Sequence, residues 1–366
     1  MFFRPVPNTA DTHRPELYHP LGTRNLALAG PRGRTACFTR FCDAAALAAF
    51  VAVLVLVIAP VNAQTPAPDA RPLRIVVPFA PGGAQDVIGR YLGGHLSTRL
   101  GVPVVIDNRA GAGGVIAADA VAKAAPDGNT VLLATGGAIS IAPHLNAKLP
   151  YDPRRDFAAV AMVADTPMTL AVRAQSGYTS VADVLRDAKA RPGQVSYAST
   201  GNGTVSHLTG ELLAQMAGVT FLHVPYRGAA PAITDLLGGQ VAMMVTSAAS
   251  IEPMVADSKA RVLASFTTAR IGTLKGAPTI AEAAGMKGLE VPVWVGLLAP
   301  VKTPAALLEK LGAELVAVCK LPETQERFKA LGAVPACGNA KELDKVIADD
   351  FQRWGKVIQQ GNIKVE

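Results

Sequence analysis

LRIVVPFAPGGAQDVIGRYLGGHLSTRL, residues 73–100, decides the fold. Leu73–Phe79 is an apolar run of strand length, and Pro81-Gly82-Gly83 breaks it. Over Asp86–Leu100 the apolar residues Val87, Ile88, Tyr91, Leu92, Leu96 and Leu100 recur at helical spacing. The unit then repeats. Val102–Ile106 reads as a second strand, Asn108–Gly114 as a glycine loop and Val115–Ala125 as a helix. A turn at Pro126-Asp127-Gly128 leads into a third strand, Thr130–Thr135. Strand, glycine turn, helix and strand in this rhythm mean an α/β fold on a parallel sheet.

Downstream the rhythm continues. Extended runs fall within Asp165–Arg173 and at Val195–Ala198, Phe221–Val224, Val241–Val245, Val262–Phe266 and Val291–Ala299. Helices are expected at Val181–Ala190, His207–Met216, Ala230–Leu237, Pro304–Lys320, Pro322–Leu331 and Ala340–Gln359. The strands form two groups that divide near residue 164. A chain that crosses to a second lobe and returns explains why the terminal helices come last. The reading places one lobe at 73–163 and 292–366 and the other at 164–291, with crossings near Val163–Thr166 and Leu289–Val293. Ligands of open α/β sheets sit outside the carboxyl ends of strands, so two such lobes frame a cleft.

The chain's 366 residues carry a formal charge of +7. Residues 1–63 account for six Arg and three acids, leaving 29 basic and 25 acidic residues downstream. That mild balance, without a basic stripe interleaved with aromatics, argues against nucleic-acid binding and suits small anions. Ala44–Ala59 is a sixteen-residue apolar run, shorter than the roughly 20 residues of a membrane span. Arg32, Arg34 and Arg40 precede it, and Val61-Asn62-Ala63 places small residues as a cleavage site requires. Residues 1–63 therefore read as a secretory signal peptide, 64–72 as a Pro/Ala-rich linker, and the mature chain as periplasmic. The 43 residues ahead of the apolar run are long for such a leader, which points to translation starting nearer to it. Cys319 and Cys337 remain in the mature chain. One disulfide and two buried thiols are both open at this stage. Two cysteines without a nearby histidine disfavour a zinc site, and no metal or cofactor is expected.

Four strand-ending glycine turns carry the chemistry. Pro81-Gly82-Gly83-Ala84, with Asp86 two residues on, opens a helix whose N–H groups suit a carboxylate. Its other reading is a tight turn with Asp86 capping its own helix. Ser199-Thr200-Gly201-Asn202-Gly203-Thr204-Val205-Ser206 is richer in N–H and O–H donors and lacks the lysine of a phosphate loop. Asn108–Gly114 and Thr135-Gly136-Gly137-Ala138-Ile139-Ser140 are the other two, and Arg109 reads equally as a cleft or a surface residue. His207 reads as a core or capping histidine. The chain has no G-x-S-x-G elbow, no H-E-x-x-H and no dinucleotide fingerprint after its first strand.

From Arg74 to Glu366 the ordered set of motifs resembles the Bug-type substrate-binding receptors of tripartite tricarboxylate transporters. It includes Val77-Pro78-Phe79-Ala80-Pro81-Gly82-Gly83 with Asp86 and Arg90, then Asn108-Arg109 with Gly111–Gly114, then Pro126-Asp127-Gly128. Thr200–Thr204 with Ser206-His207, Val224-Pro225-Tyr226-Arg227-Gly228 and Leu236–Gln240 follow. Pro278-Thr279, Glu282-Ala283, Trp294, Leu298-Ala299-Pro300 and Trp354–Ile358 complete it. The resemblance implies a class II, two-lobed periplasmic binding-protein fold with two hinge crossings, acting as a monomer. It implies that Phe79, Pro81, Gly82, Gly83, Ala84 and Asp86 face Ser199–Thr204, Ser206, Pro225 and Tyr226 across a small carboxylate. Thr135, Gly136 and Ser140 would close the far end, and water often bridges the first turn to the ligand. Amino acids, di- and tricarboxylates and aromatic acids are ligands in the family, and two membrane components of the transporter are the partners. Departures at Gly89, at the glycine-rich Thr135–Ser140 turn and at Ile141-Ala142-Pro143 fall largely on the distal half of the pocket.

Two other readings compete. A receptor that presents its solute to a sensor needs the same cleft. An exported α/β hydrolase needs a nucleophile beside a positioned base. Ser206 and His207 are adjacent on a helix, and so point about 100° apart.

Overall fold

The computed structural model describes residues 71–274, 276–361 and 363. The expected signal peptide and nearly all of the linker lie outside them. In the described part, the strand–turn–helix unit of the sequence becomes β1 (Leu73–Val77) and α1 (Ala84–Leu100). Alternation splits β1 between two faces of its sheet. Ile75 and Val77 meet Ile88, Leu92 and Leu96 of α1 in one core, whereas Val76 joins another on the opposite face. Truncating one of these α1 leucines to alanine costs about 2–5 kcal/mol. The helix stops where Gly101 turns left-handed (φ 69°) and its N–H bonds the Ser97 carbonyl at 3.0 Å.

β2 (Val104–Asn108), α2 (Val115–Ala122) and β3 (Thr130–Ala134) follow, and β1 pairs in parallel with both strands. The expectation of a parallel sheet holds for these three strands and not for the rest of this sheet. β4 (Phe157–Asp165), β10 (Trp294–Pro300) and β11 (Val334–Asn339) extend the sheet in the order β2-β1-β3-β10-β4-β11, with every added pairing antiparallel. The physical reason is topological: the returning strand β10 comes back from the second lobe and enters between β3 and β4 from the far end. The second sheet has the order β7-β6-β8-β5-β9. Its strands are β5 (Met168–Arg173), β6 (Ser196–Ser199), β7 (Leu222–Pro225), β8 (Met243–Ser247) and β9 (Ala260–Ser265). β6 is parallel to β7 and β8, and β5 is antiparallel to β8 and β9.

Helices cover both sheets. A short α3 (Ala142–Leu145) belongs to the first lobe. α4 (Val181–Ala190), α5 (Val205–Ala217), α6 (Ala229–Gly238), α7 (Ala248–Ala256) and α8 (Ile280–Ala284) surround the second sheet. α9 (Ala305–Cys319), α10 (Pro322–Ala330) and α11 (Ala340–Gly361) follow β10. Cys319 and Cys337 form a disulfide with Cα atoms 5.4 Å apart, tying the end of α9 to β11.

The crossings between lobes are laced together. Thr166 N donates to the Val293 carbonyl and Val293 N to Asp165 Oδ1, both at 2.8 Å. α11 spans both lobes: Leu343 packs in the first core, and Trp354 and Ile358 pack in the second. Its Arg353 guanidinium bonds the Glu290 carbonyl beside the returning crossing. The helix is thus a strap across the hinge.

Candidate functional site

The first turn is ordered by one buried carboxylate. Asp86 Oδ2 accepts Gly82 N–H at 2.9 Å and Arg90 Nε at 3.0 Å. Its Oδ1 accepts Asn108 Nδ2 at 3.0 Å, and the same amide nitrogen donates to the Phe79 carbonyl at 3.0 Å. Burial works against this charge, but Arg90, Gly82 N–H and Asn108 together hold the Asp86 carboxyl below the usual range. Asp86 therefore clamps the ends of β1 and β2 together; it accepts the Gly82 N–H ahead of its helix and does not cap that helix, whose N-cap Gly83 has no side-chain bond.

Pro81–Ala84 meets the other lobe rather than an open cleft. Ala80 N donates to the Arg227 carbonyl at 3.0 Å, and Ala84 N to Ser250 Oγ at 3.2 Å. A Cβ on Gly82 or Gly83 would lie 3.5 Å from the Ala230 methyl and 3.8 Å from the Ala229 methyl, respectively. The lobes are closed on each other along this edge.

The Ser199–Ser206 turn joins β6 to α5 and is strongly self-bonded. Thr204 caps α5: its Oγ1 accepts His207 N–H at 3.3 Å and donates to the Gly201 carbonyl at 2.7 Å. Ser206 Oγ accepts Thr200 N–H at 3.1 Å and donates to the Val245 carbonyl. Ser199 Oγ accepts Gly201 N–H at 3.1 Å and lies 2.7 Å from His223 Nε2. Ser199, Thr204 and Ser206 are buried, so they shape the turn from beneath, while Thr200, Gly201 and Asn202 form its outer rim.

That rim closes a cavity of about 340 Å³ between the lobes. The first lobe supplies Pro78, Phe79 and the loop Ala110–Gly114; the second supplies Thr200–Asn202 and Pro225–Arg227. Of the expected site residues, the structure thus gathers Phe79, Thr200, Gly201, Asn202, Pro225 and Tyr226 around one space. Gly203 joins Asn202 in an adjoining cavity of about 430 Å³ beside Ala112, Val115 and α3. Glycine is required where the loops touch. Gly113 has φ +64°, and a Cβ there would stand 2.4 Å from the Asn202 carbonyl oxygen. The loop Ala110–Gly114 and Arg227 were present in the motifs as a glycine turn and a family match. The run of glycines was the signal that backbone approaches something closely there.

Among the described residues, no Asp or Glu lines the 340 Å³ cavity, and Arg227 is the one cationic residue in its lining. Among the described residues, the Arg227 guanidinium and the Asn202 carboxamide make no hydrogen bond to protein. The Tyr226 hydroxyl is spent on Asp235 at 2.6 Å; burial and that carboxylate push the phenol up to about 12. The Thr200 hydroxyl likewise donates to Thr204 Oγ1 at 3.3 Å, so the space can accept a small anion through Arg227, the Asn202 carboxamide and backbone groups.

Thr135, Gly136 and Ser140 lie elsewhere, buried in the π-helical turn Gly137–Ile141 and the residues before it. Their neighbour is Asp350 of α11, whose Oδ2 accepts the Trp294 indole N–H at 2.8 Å. Burial pushes the Asp350 carboxyl above its usual range, and a Cβ on Gly136 would stand 2.7 Å from Oδ2. This turn is packed against the strap helix, and a Cβ on its Gly137 would stand 2.8 Å from the Gly113 carbonyl oxygen and 3.6 Å from that of Gly203.

The sequence matches the family described as tripartite tricarboxylate transporter family receptor, TctC, over residues 88–363. The chain belongs to this family. BugT of Bordetella pertussis is 35% identical over 309 residues, covering 84% of this chain and 94% of that protein. The periplasmic binding protein BugD superposes with a TM-score of 0.78 at 35% identity, over 81% of this chain and 100% of that one. MatC from Rhodopseudomonas palustris, solved with bound malate, gives a TM-score of 0.75 at 31% identity, over 79% and 99%. The receptor is thus a two-lobed solute-binding protein of the Bug type, not an enzyme.

Proposed function

We propose that this receptor captures a small carboxylate in the cleft between its lobes, in the periplasm, and delivers it to the two membrane components of a tripartite tricarboxylate transporter. The observation that carries the reading is the chemistry of the 340 Å³ cavity: one guanidinium, one unpartnered carboxamide, glycine backbone and no carboxylate of its own. Such a lining attracts an anion and repels a cation. The volume suits a solute of malate size, and the malate held by MatC supports the same class of ligand here. Phe79, Thr200, Gly201, Asn202, Tyr226 and Arg227 are the contacts we assign. The buried Ser199, Thr204, Ser206 and Asp86 hold the contact turns in shape. The two sheets move as lobes about Val163–Thr166 and Leu289–Val293, after residues 1–63 have directed export of a monomer.

The test is a thermal-shift screen with malate, other di- and tricarboxylates, acidic amino acids and aromatic acids, each against its neutral amide. At least one acid raises the melting temperature by several degrees and its amide does not. Equal shifts for acid and amide, or none with any acid at millimolar concentration, would overturn the reading.

A further inference from the structure

Beneath the turn that rims the cavity lies a stack of three rings. Tyr197 of β6 stacks on His223 of β7 with centroids 4.8 Å apart, and His223 stacks on His207 of α5 at 4.0 Å and 7°. None of the three lines the cavity, yet both imidazoles reach the turn above. His207 Nδ1 accepts Gly203 N–H at 3.2 Å. His223 Nε2 meets Ser199 Oγ at 2.7 Å, and that hydroxyl in turn accepts Gly201 N–H at 3.1 Å. Gly201 and Gly203 are the residues whose left-handed backbone (φ +134° and +69°) gives the turn its shape.

The first of these bonds fixes a protonation state. A ring nitrogen accepts an amide N–H only when it carries no proton, so His207 is neutral with its proton on Nε2. The charged and titratable groups facing the stack are few. Glu211 of α5 places Oε1 3.8 Å from His207 Nε2, and the Tyr197 hydroxyl donates to that same Oε1 at 2.6 Å. With the ring neutral, the 3.8 Å approach is no ion pair. Phe221, which meets the edge of Tyr197, adds only apolar surface. Burial pushes His207 down to about 4; burial, and then the neighbouring His207, push His223 down to about 4 despite Glu211. Adding a proton to Nδ1 of His207 would set two N–H donors head to head. Adding one to each ring would set two cations 4 Å apart in a buried site.

We propose that His207 and His223 are positioning residues for solute binding: the neutral stack holds the Ser199–Gly203 turn in its binding shape, and protonation of the stack loosens the turn and releases the solute. This rests on the reading of the cleft as a carboxylate site. It makes the receptor's grip acid-sensitive without any histidine touching the solute. His207→Asn is the informative variant, because the carboxamide oxygen replaces Nδ1 as acceptor and does not titrate in this range.

Two measurements decide it. The first needs no solute: nitrogen-15 NMR of the mature chain from pH 8 to pH 3.5, following the imidazole nitrogens with the Gly201 and Gly203 amides. The amide resonances move with the imidazole titration, near pH 4, and in His207→Asn the Gly203 amide no longer follows it. The second is malate affinity across the same range, where malate's own titration is common to both proteins. At pH 7.5 the variant binds within about threefold of wild type, and by pH 3.5 wild type has lost about fourfold more affinity than the variant, the loss that one proton on a group titrating near 4 produces. Gly201 and Gly203 amides that ignore the imidazole titration, or coincident affinity profiles, would overturn the proposal. If wild type fails to bind malate at pH 7.5, the malate-like reading of the cleft fails, and the NMR arm alone decides whether the stack holds the turn. His223→Gln, which keeps a polar atom near the Nε2 position, replaces the first variant in both arms if His207→Asn does not fold.

Discussion

Gly113→Ala wedges the closed cleft. The glycine sits at φ +64° with its missing Cβ aimed at the Asn202 carbonyl oxygen, 2.4 Å away across the lobe boundary. Two costs follow, and they separate experimentally. The left-handed backbone costs an alanine roughly 1–2 kcal/mol whether the lobes are open or closed. It lowers the ligand-free melting temperature by a few degrees at this chain size. The steric cost exists only in the closed state. A carbon and an oxygen settle at roughly 3.2–3.4 Å or beyond, so the loops must part by about 1 Å. A hydrogen bond stretched by that much is lost. A bond to a charged group is worth roughly 1.5–3 kcal/mol, so losing one weakens binding about ten- to a hundredfold. Calorimetry with the tightest carboxylate from the screen reads the affinity, and small-angle scattering reads closure. The variant binds more weakly and compacts less on binding than wild type. If it binds with wild-type affinity and closes to the same radius of gyration, the Gly113–Asn202 contact is not part of the closing surface and the reasoning fails.

Stability falls as pH drops from about 6.5 toward 4. In that window the unfolded histidines are protonated and the buried His207 and His223, held near 4, are not, so the unfolded state binds more protons. Melting curves across the range show the decline, and His207→Asn flattens it; an equal decline in both proteins would refute the assignment. Gly210→Ala costs about 1–3 kcal/mol, because its Cβ would stand 2.3 Å from the buried Tyr197 ring and must push that ring into the histidine stack. Wild-type stability in a urea melt would count against this packing. Breaking the Cys319–Cys337 bridge, which spans 18 residues of sequence, by the double change to serine costs about 3 kcal/mol through the freedom returned to the unfolded chain. An unchanged urea midpoint would contradict it.

Much of the first lobe was legible because its signals are local. LRIVVPF, the glycine turn and the periodic helix after it map onto β1 and α1, and Thr130–Thr135 maps onto β3. Other elements are concealed by their composition. β4, FAAVAMVAD, is rich in alanine, a poor strand former that packs here because helices cover both faces of the sheet. β11 carries Pro335 and Gly338 on either side of a bulge, and α7 carries Pro253 inside a helix. The antiparallel insertion of β10 and the strap formed by α11 depend on contacts between distant segments that no local pattern encodes. The same limit applied at the site. The Ser199–Ser206 run announced itself by its donors, but not which donors point down into the lobe and which form the rim. The first turn reads as an anion site by its glycines alone. What the chain adds is Ser250 and Arg227, brought from more than 140 residues away to occupy that turn's neighbouring N–H groups.

Native mass spectrometry of the receptor purified gently from its own host, followed by denaturation and identification of what is released, tests the central claim most directly. The account predicts one molecule of a small carboxylate per chain, lost when Arg227 and Asn202 are both replaced by alanine. A released solute without a carboxylate, or a carboxylate that the double variant retains in full, would contradict it.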